Sequence, residues 1–81
     1  MTFPLYKDMA LAADLPDEGL RRGDIVKLVD RHVAPDGSEA YSVEYFNALG
    51  ETAGVACVPV WALTPLKANS VLTARDLTVP A

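Results

Sequence analysis

GDIVKLVDRHVAPDGSEAYSVEYFNALGETAGVACVPVWALTPL, residues 23–66, decides the fold. Ile25 to Val33 is rich in β-branched residues, but its apolar pairs, Ile25 with Val26 and Leu28 with Val29, break the alternation of a flat strand. A bulge or a strong bend is therefore expected within it. Pro35, Asp36 and Gly37 form an Asp-Gly turn signal between two β-rich runs, which predicts an antiparallel hairpin over residues 25–46. In the returning strand Tyr41, Val43 and Tyr45 share one face, with Ser42 and Glu44 on the other. Asn47 to Gly50 then turn the chain into Thr52–Val58, where Gly54 and Ala56 leave room for another backbone or a large side chain. Pro59 ends that run. PVWAL, residues 59–63, predicts one tight 3₁₀ turn, and LTPL, residues 63–66, a short edge strand in which Pro65 removes a donor.

Upstream of this core the signals weaken. Asp8 to Leu15 favours helix by propensity through Met9, Ala10, Leu11, Ala12 and Ala13, yet the run is too short to settle its state. LPDEGLRRG, residues 15–23, combines proline, two glycines and a cluster of charges, so it reads as an exposed loop. Downstream, residues 68–81 differ in composition from the rest. Ser70 is placed to cap a turn through VLTARDL, and disorder, one helical turn or an added strand all stay open there. The chain thus divides into a five-stranded all-β barrel at residues 1–67 and a C-terminal tail at 68–81, disordered or partner-binding.

A chain of 81 residues is one small domain, burying only about 60% of its unfolded surface. Seven basic against eleven acidic residues leave a net charge of −4, which repels phosphates and anionic headgroups and so disfavours nucleic acid. The single cysteine, Cys57, has no intramolecular partner and sits between Ala56 and Val58, which reads as a packed strand position. Lys7 and Asp8 interrupt the N-terminal apolar run that a secretory signal needs, and no window approaches the roughly 20 apolar residues of a membrane span. A soluble cytoplasmic protein is expected.

The order of strand, long charged loop, bent strand, hairpin, strand, 3₁₀ turn and closing strand resembles an SH3-like barrel over about residues 5–66. More narrowly, LPDEGLRRGDIV followed by YSVEYFNALGETAGV and VPVWALTPL resembles the uncharacterised bacterial family filed as domain of unknown function 4926. That resemblance implies the barrel and carries no catalytic residue. Small bacterial proteins of this sort resemble antitoxin-like or immunity-like partners of a neighbouring gene product, an analogy of role alone. RRGDIVKLVD, residues 21–30, is also similar to the opening strand of MazF-like ribonuclease toxins, but the acidic chain lacks the basic surface those toxins use.

Chemistry is sparse. His32 is the only histidine, too few for a His-based metal set, and reads as a solvated strand-end residue. No phosphate-binding glycine loop and no Ser-His-Asp set is present, so neither catalysis nor a cofactor is expected. Asp14, Asp17 and Glu18 do not follow a calcium-loop spacing; they read as solvated charges answered by Arg21 and Arg22, or as a contact for a basic partner. Trp61, with Tyr41, Tyr45 and Phe46, invites comparison with a polyproline-binding groove, but the tyrosine pair of the first strand is missing. Trp61 instead reads as a cap on one barrel end, burying on the order of 200 Å² and costing about 3–5 kcal/mol on truncation. The leading expectation is a protein-interaction module that engages a protein partner through Asp14, Asp17, Glu18, Arg21, Arg22 and Trp61, with a homodimer also open. The alternative is a nucleic-acid-binding barrel using Lys27, Arg31 and Tyr45.

Overall fold

A computed structural model describes residues 2–77, so Met1 and the last part of the expected tail, residues 78–81, lie outside the described residues. Five antiparallel strands make one sheet: β1 (Asp8–Leu11), β2 (Ile25–Val33), β3 (Glu39–Phe46), β4 (Thr52–Pro59) and β5 (Leu63–Pro65). Their spatial order is β4-β3-β2-β1-β5. This is the small, curled β-barrel-like architecture that the sequence order implies, with two isolated 3₁₀ turns at Pro16–Glu18 and Val60–Ala62.

The bend comes from β2. Its register against β3 shifts between Leu28 and Asp30, so Val29 is the extra residue of a bulge. Ahead of the bulge, plain alternation resolves the apolar pairs: Val26 and Leu28 are buried against the core, while Ile25 and Val29 are half-buried. Beyond the bulge, residues 30–33 are exposed. The Asp36-Gly37 turn forms as expected, with the Ala34 N–H donating to Ser38 O at 2.8 Å and the Asp36 carboxylate accepting from both the amide and the hydroxyl of Ser38. Those two bonds hold the Asp36 carboxyl below its ordinary value.

On β3 the two-residue period holds: Tyr41 and Val43 are fully buried, and Tyr45 is half-buried on the same face. Tyr41 reaches the N-terminal segment, where the Phe3 N–H donates to its hydroxyl at 2.8 Å and the two rings lie 6.1 Å apart. A buried phenol is thereby supplied with a partner. On β4, Ala56 and Val58 complete the core.

One reading left open is decided here and two are corrected. Residues 8–11 form a strand despite their helical propensity: Met9 and Leu11 alternate into the core, and β1 is hydrogen-bonded on both sides, to β2 and to β5. Four residues of propensity cannot outweigh two ladders and two buried side chains. Cys57 is exposed, because the alternation that buries Ala56 and Val58 turns the residue between them outward. Trp61 caps nothing: it is 69% exposed, and the turn Val60–Ala62 buries the small Ala62 instead.

Candidate protein-contact surface

Between β1 and β2 the chain makes a loop that is more ordered than its charge suggests. Leu15 and Leu20 exchange both backbone hydrogen bonds, at 2.9 and 3.1 Å, closing a small hairpin around the 3₁₀ turn Pro16–Glu18. Gly19 ends that turn at φ 70°, a left-handed conformation that glycine adopts without strain. Leu20 is 2% exposed and belongs to the core, so one residue of the expected exposed loop is an anchor. The anchored hairpin presents Asp17 and Glu18, both exposed, at its tip.

The loop's charges are partnered differently from the sequence expectation. Asp14 accepts a hydrogen bond at 2.9 Å from the backbone N–H of Arg22, not from its guanidinium. Among the described residues, the side chains of Asp17, Glu18, Arg21 and Arg22 make no hydrogen bond or ion pair with one another. Four exposed charges are thus left to solvent or to a partner. At the loop's root, Asp24 accepts the Arg21 N–H at 2.8 Å and closes a turn with the Asp24 N–H to Arg21 O bond at 3.0 Å.

The C-terminal segment meets the same root. Arg75 donates through Nε to Asp24 Oδ1 at 2.8 Å, through Nη2 to Asp24 Oδ2, and through Nη2 to Gly19 O at 3.1 Å. This two-pronged pair is partly buried, with side chains 23% and 17% exposed. Burial raises the Asp24 pKa, but the hydrogen bonds from Arg75 and from the Arg21 amide outweigh it and hold the carboxyl below its ordinary value. Arg75 is raised in turn by its bond to Asp24. Between this clamp and the β3–β4 hairpin lies an open cleft of about 730 Å³, its walls including Ile25, Phe46, Leu49 and Leu72.

The turn that carries Trp61 is tied to the loop's first residue. The Ala12 N–H donates to Ala62 O at 2.7 Å, tying the second 3₁₀ turn to the point where the chain leaves β1. The structure therefore gathers Asp14, Arg21, Arg22, Asp24 and Arg75 around one loop, sets Asp17 and Glu18 at its tip, and joins Trp61 to its root through backbone. Asp24 and Arg75 do not figure among the residues that the sequence singles out. The pairing left no signal in the sequence, because Arg21, Arg22 and Lys27 all lie nearer to Asp24 along the chain than Arg75 does.

Other candidates separate. Tyr41 is fully buried while Trp61 is exposed, so these aromatics share no peptide groove. Lys27 lies 5.6 Å from the centre of the Phe46 ring, Arg31 is bound to Glu39 at 2.9 Å, and Tyr45 lies over Gly54. His32 bonds Ser42 Oγ at 2.7 Å on an exposed face. Among the described residues no helix is long and apolar enough to cross a membrane.

The family described as Domain of unknown function (DUF4926) matches residues 5–65, which contain all five strands and the loop, and the chain belongs to that family. Neither the curated proteins nor the solved structures provide a match.

Proposed function

We propose that this member of the DUF4926 family is a small non-catalytic protein-interaction module of the cytoplasm, and that it binds a protein partner encoded beside it in the manner of an antitoxin or immunity protein. The observation that carries the reading is Trp61: 69% exposed, and held on a turn that is tied by backbone to Ala12, just past β1. Tryptophan is among the residues that dominate binding energy when a partner buries them, and a fixed backbone spares the ordering cost. The loop beside it offers Asp17 and Glu18 at an anchored tip, which favours a partner with a basic surface through faster encounter.

The test begins with gentle purification of the tagged chain from its native host and identification of any protein retained in stoichiometric amount. The complex is then measured with Trp61→Ala and with Asp17→Lys/Glu18→Lys. Truncating Trp61 is expected to weaken binding by about 2 kcal/mol or more, a loss seen mainly in dissociation. Reversing the two acids is expected to slow association and flatten its salt dependence. Trp61 is the only tryptophan, so its emission should shift on binding. A bait that retains nothing, or a complex indifferent to both variants, refutes the reading.

A further inference from the structure

The two edges of the sheet are treated differently. β5 is three residues long and ends in Pro65, which has no N–H to offer, so that edge is blunted. β4 is eight residues long, runs TAGVACVP, and carries no charged residue. Its ladder runs to β3 only, and among the described residues no other backbone hydrogen bond reaches residues 52–58. The outward side chains Ala53, Val55 and Cys57 are all exposed, Val55 by 64%. A long, uncharged edge of this kind is a template for another strand.

We propose that β4 pairs antiparallel with β4 of a second copy of this chain, across a twofold axis at Val55, to give a continuous ten-stranded sheet. The choice of a second copy rests on charge. Each chain carries a net −4, so most faces repel a like copy, whereas the β4 edge brings no charge against its own mate. An antiparallel edge is also self-complementary under a twofold axis, since the donors and acceptors that one copy leaves free are those its mate requires. Pro59 lacks a donor and drops out of the ladder, which centres the paired stretch 52–58 on Val55. Ala53 of each chain then faces Cys57 of the other. The two Pro59 residues lie at opposite ends of the ribbon, about 26 Å apart at 3.3 Å per residue, so both Trp61 turns stay open. This inference does not rest on a heterologous partner, because its variants leave Trp61 and the acidic loop untouched.

Sedimentation of the purified full-length protein over a range of micromolar concentrations tests it. Twice the monomer mass is expected for the wild type. Val55→Lys places like charges directly opposite one another at the axis and is expected to weaken the dimer by about tenfold or more. Its circular dichroism should stay native, since the side chain is exposed. Leu49→Lys, at an 84% exposed site outside β4, should leave the dimer intact. In Ala53→Cys, copper-catalysed oxidation should join the new thiol to Cys57 of the second copy. The two thiols of one chain, four residues apart on a strand, are separated by about 13 Å and cannot join each other. A wild type that sediments as a monomer throughout, or a Val55→Lys chain with undiminished dimer mass, overturns the proposal; a dimer in which Ala53→Cys fails to cross-link overturns the register.

Discussion

Gly54 is glycine because of Tyr45. The two are paired across β3 and β4, and the tyrosine ring lies over the glycine so closely that a Cβ there would sit 2.6 Å from Cζ of the ring. No rotation within β4 relieves that contact, so a larger residue must displace the ring from its half-buried place. Gly54→Ala is expected to cost about 1–3 kcal/mol in urea unfolding, the usual range for overpacking. Shortening Tyr45 to Leu in the same chain should recover part of that loss, giving a coupling that independent sites would not show. The need for space at Gly54 was legible in the sequence, because a glycine inside a β-rich run signals close approach. Which side chain fills the space was not, since that depends on register, and the register slips between Tyr45 and Phe46.

At the scale of elements, legibility followed the agreement between pattern and turn chemistry. β2, β3 and β4 have eight or nine residues each, enough for period and turn chemistry to agree, and the bulge, both hairpin turns, the second 3₁₀ turn and the closing strand were all readable. β1 has four residues and its strand state is imposed by its neighbours β2 and β5. Cys57 and Trp61 failed for a related reason: local composition marks a residue as apolar, but only the assembled sheet decides which face is inside. The charged loop misled in the opposite direction, since its charges concealed Leu20. Leu20→Ala is therefore expected to cost about 2–5 kcal/mol, as for other buried leucines. Asp17→Lys and Glu18→Lys, at exposed tip positions, should stay within about 0.5 kcal/mol of wild type. Thermal melts of the three variants check whether the loop divides into an anchor and a free tip; equal losses would show that the tip's charges are structural after all.

Across the whole molecule, residues 66–77 form no ladder among the described residues and reach back to the loop's root through Arg75. One aspartate thus joins the loop, the start of β2 and the C-terminal segment, and its protonation should loosen all three together. The Asp24 carboxyl is held below its ordinary value, so its contribution is fully present above the unfolded-state value of about 3.9 and is lost as pH falls through the lower folded value. Glu39, lowered by its hydrogen bond from Arg31, and Asp36 act in the same direction. Acidification below about pH 4 should therefore destabilise the wild type by more than Asp24 alone accounts for. Asp24→Asn cannot receive the charged two-pronged bond, so it should lose about 1–2 kcal/mol at neutral pH and fall less steeply in acid. Arg75→Gln should flatten the acid slope only in part, because the Arg21 amide still bonds the Asp24 carboxylate. Hydrogen exchange separates the clamp from the fold: in both variants the amides of residues 72–77 should exchange faster at neutral pH, with those of β3 unchanged. Equal acid slopes in wild type and Asp24→Asn would mean that Asp24 has the same pKa folded and unfolded, and unchanged exchange at residues 72–77 in both variants would mean that the Arg75 clamp does not hold the segment to the barrel.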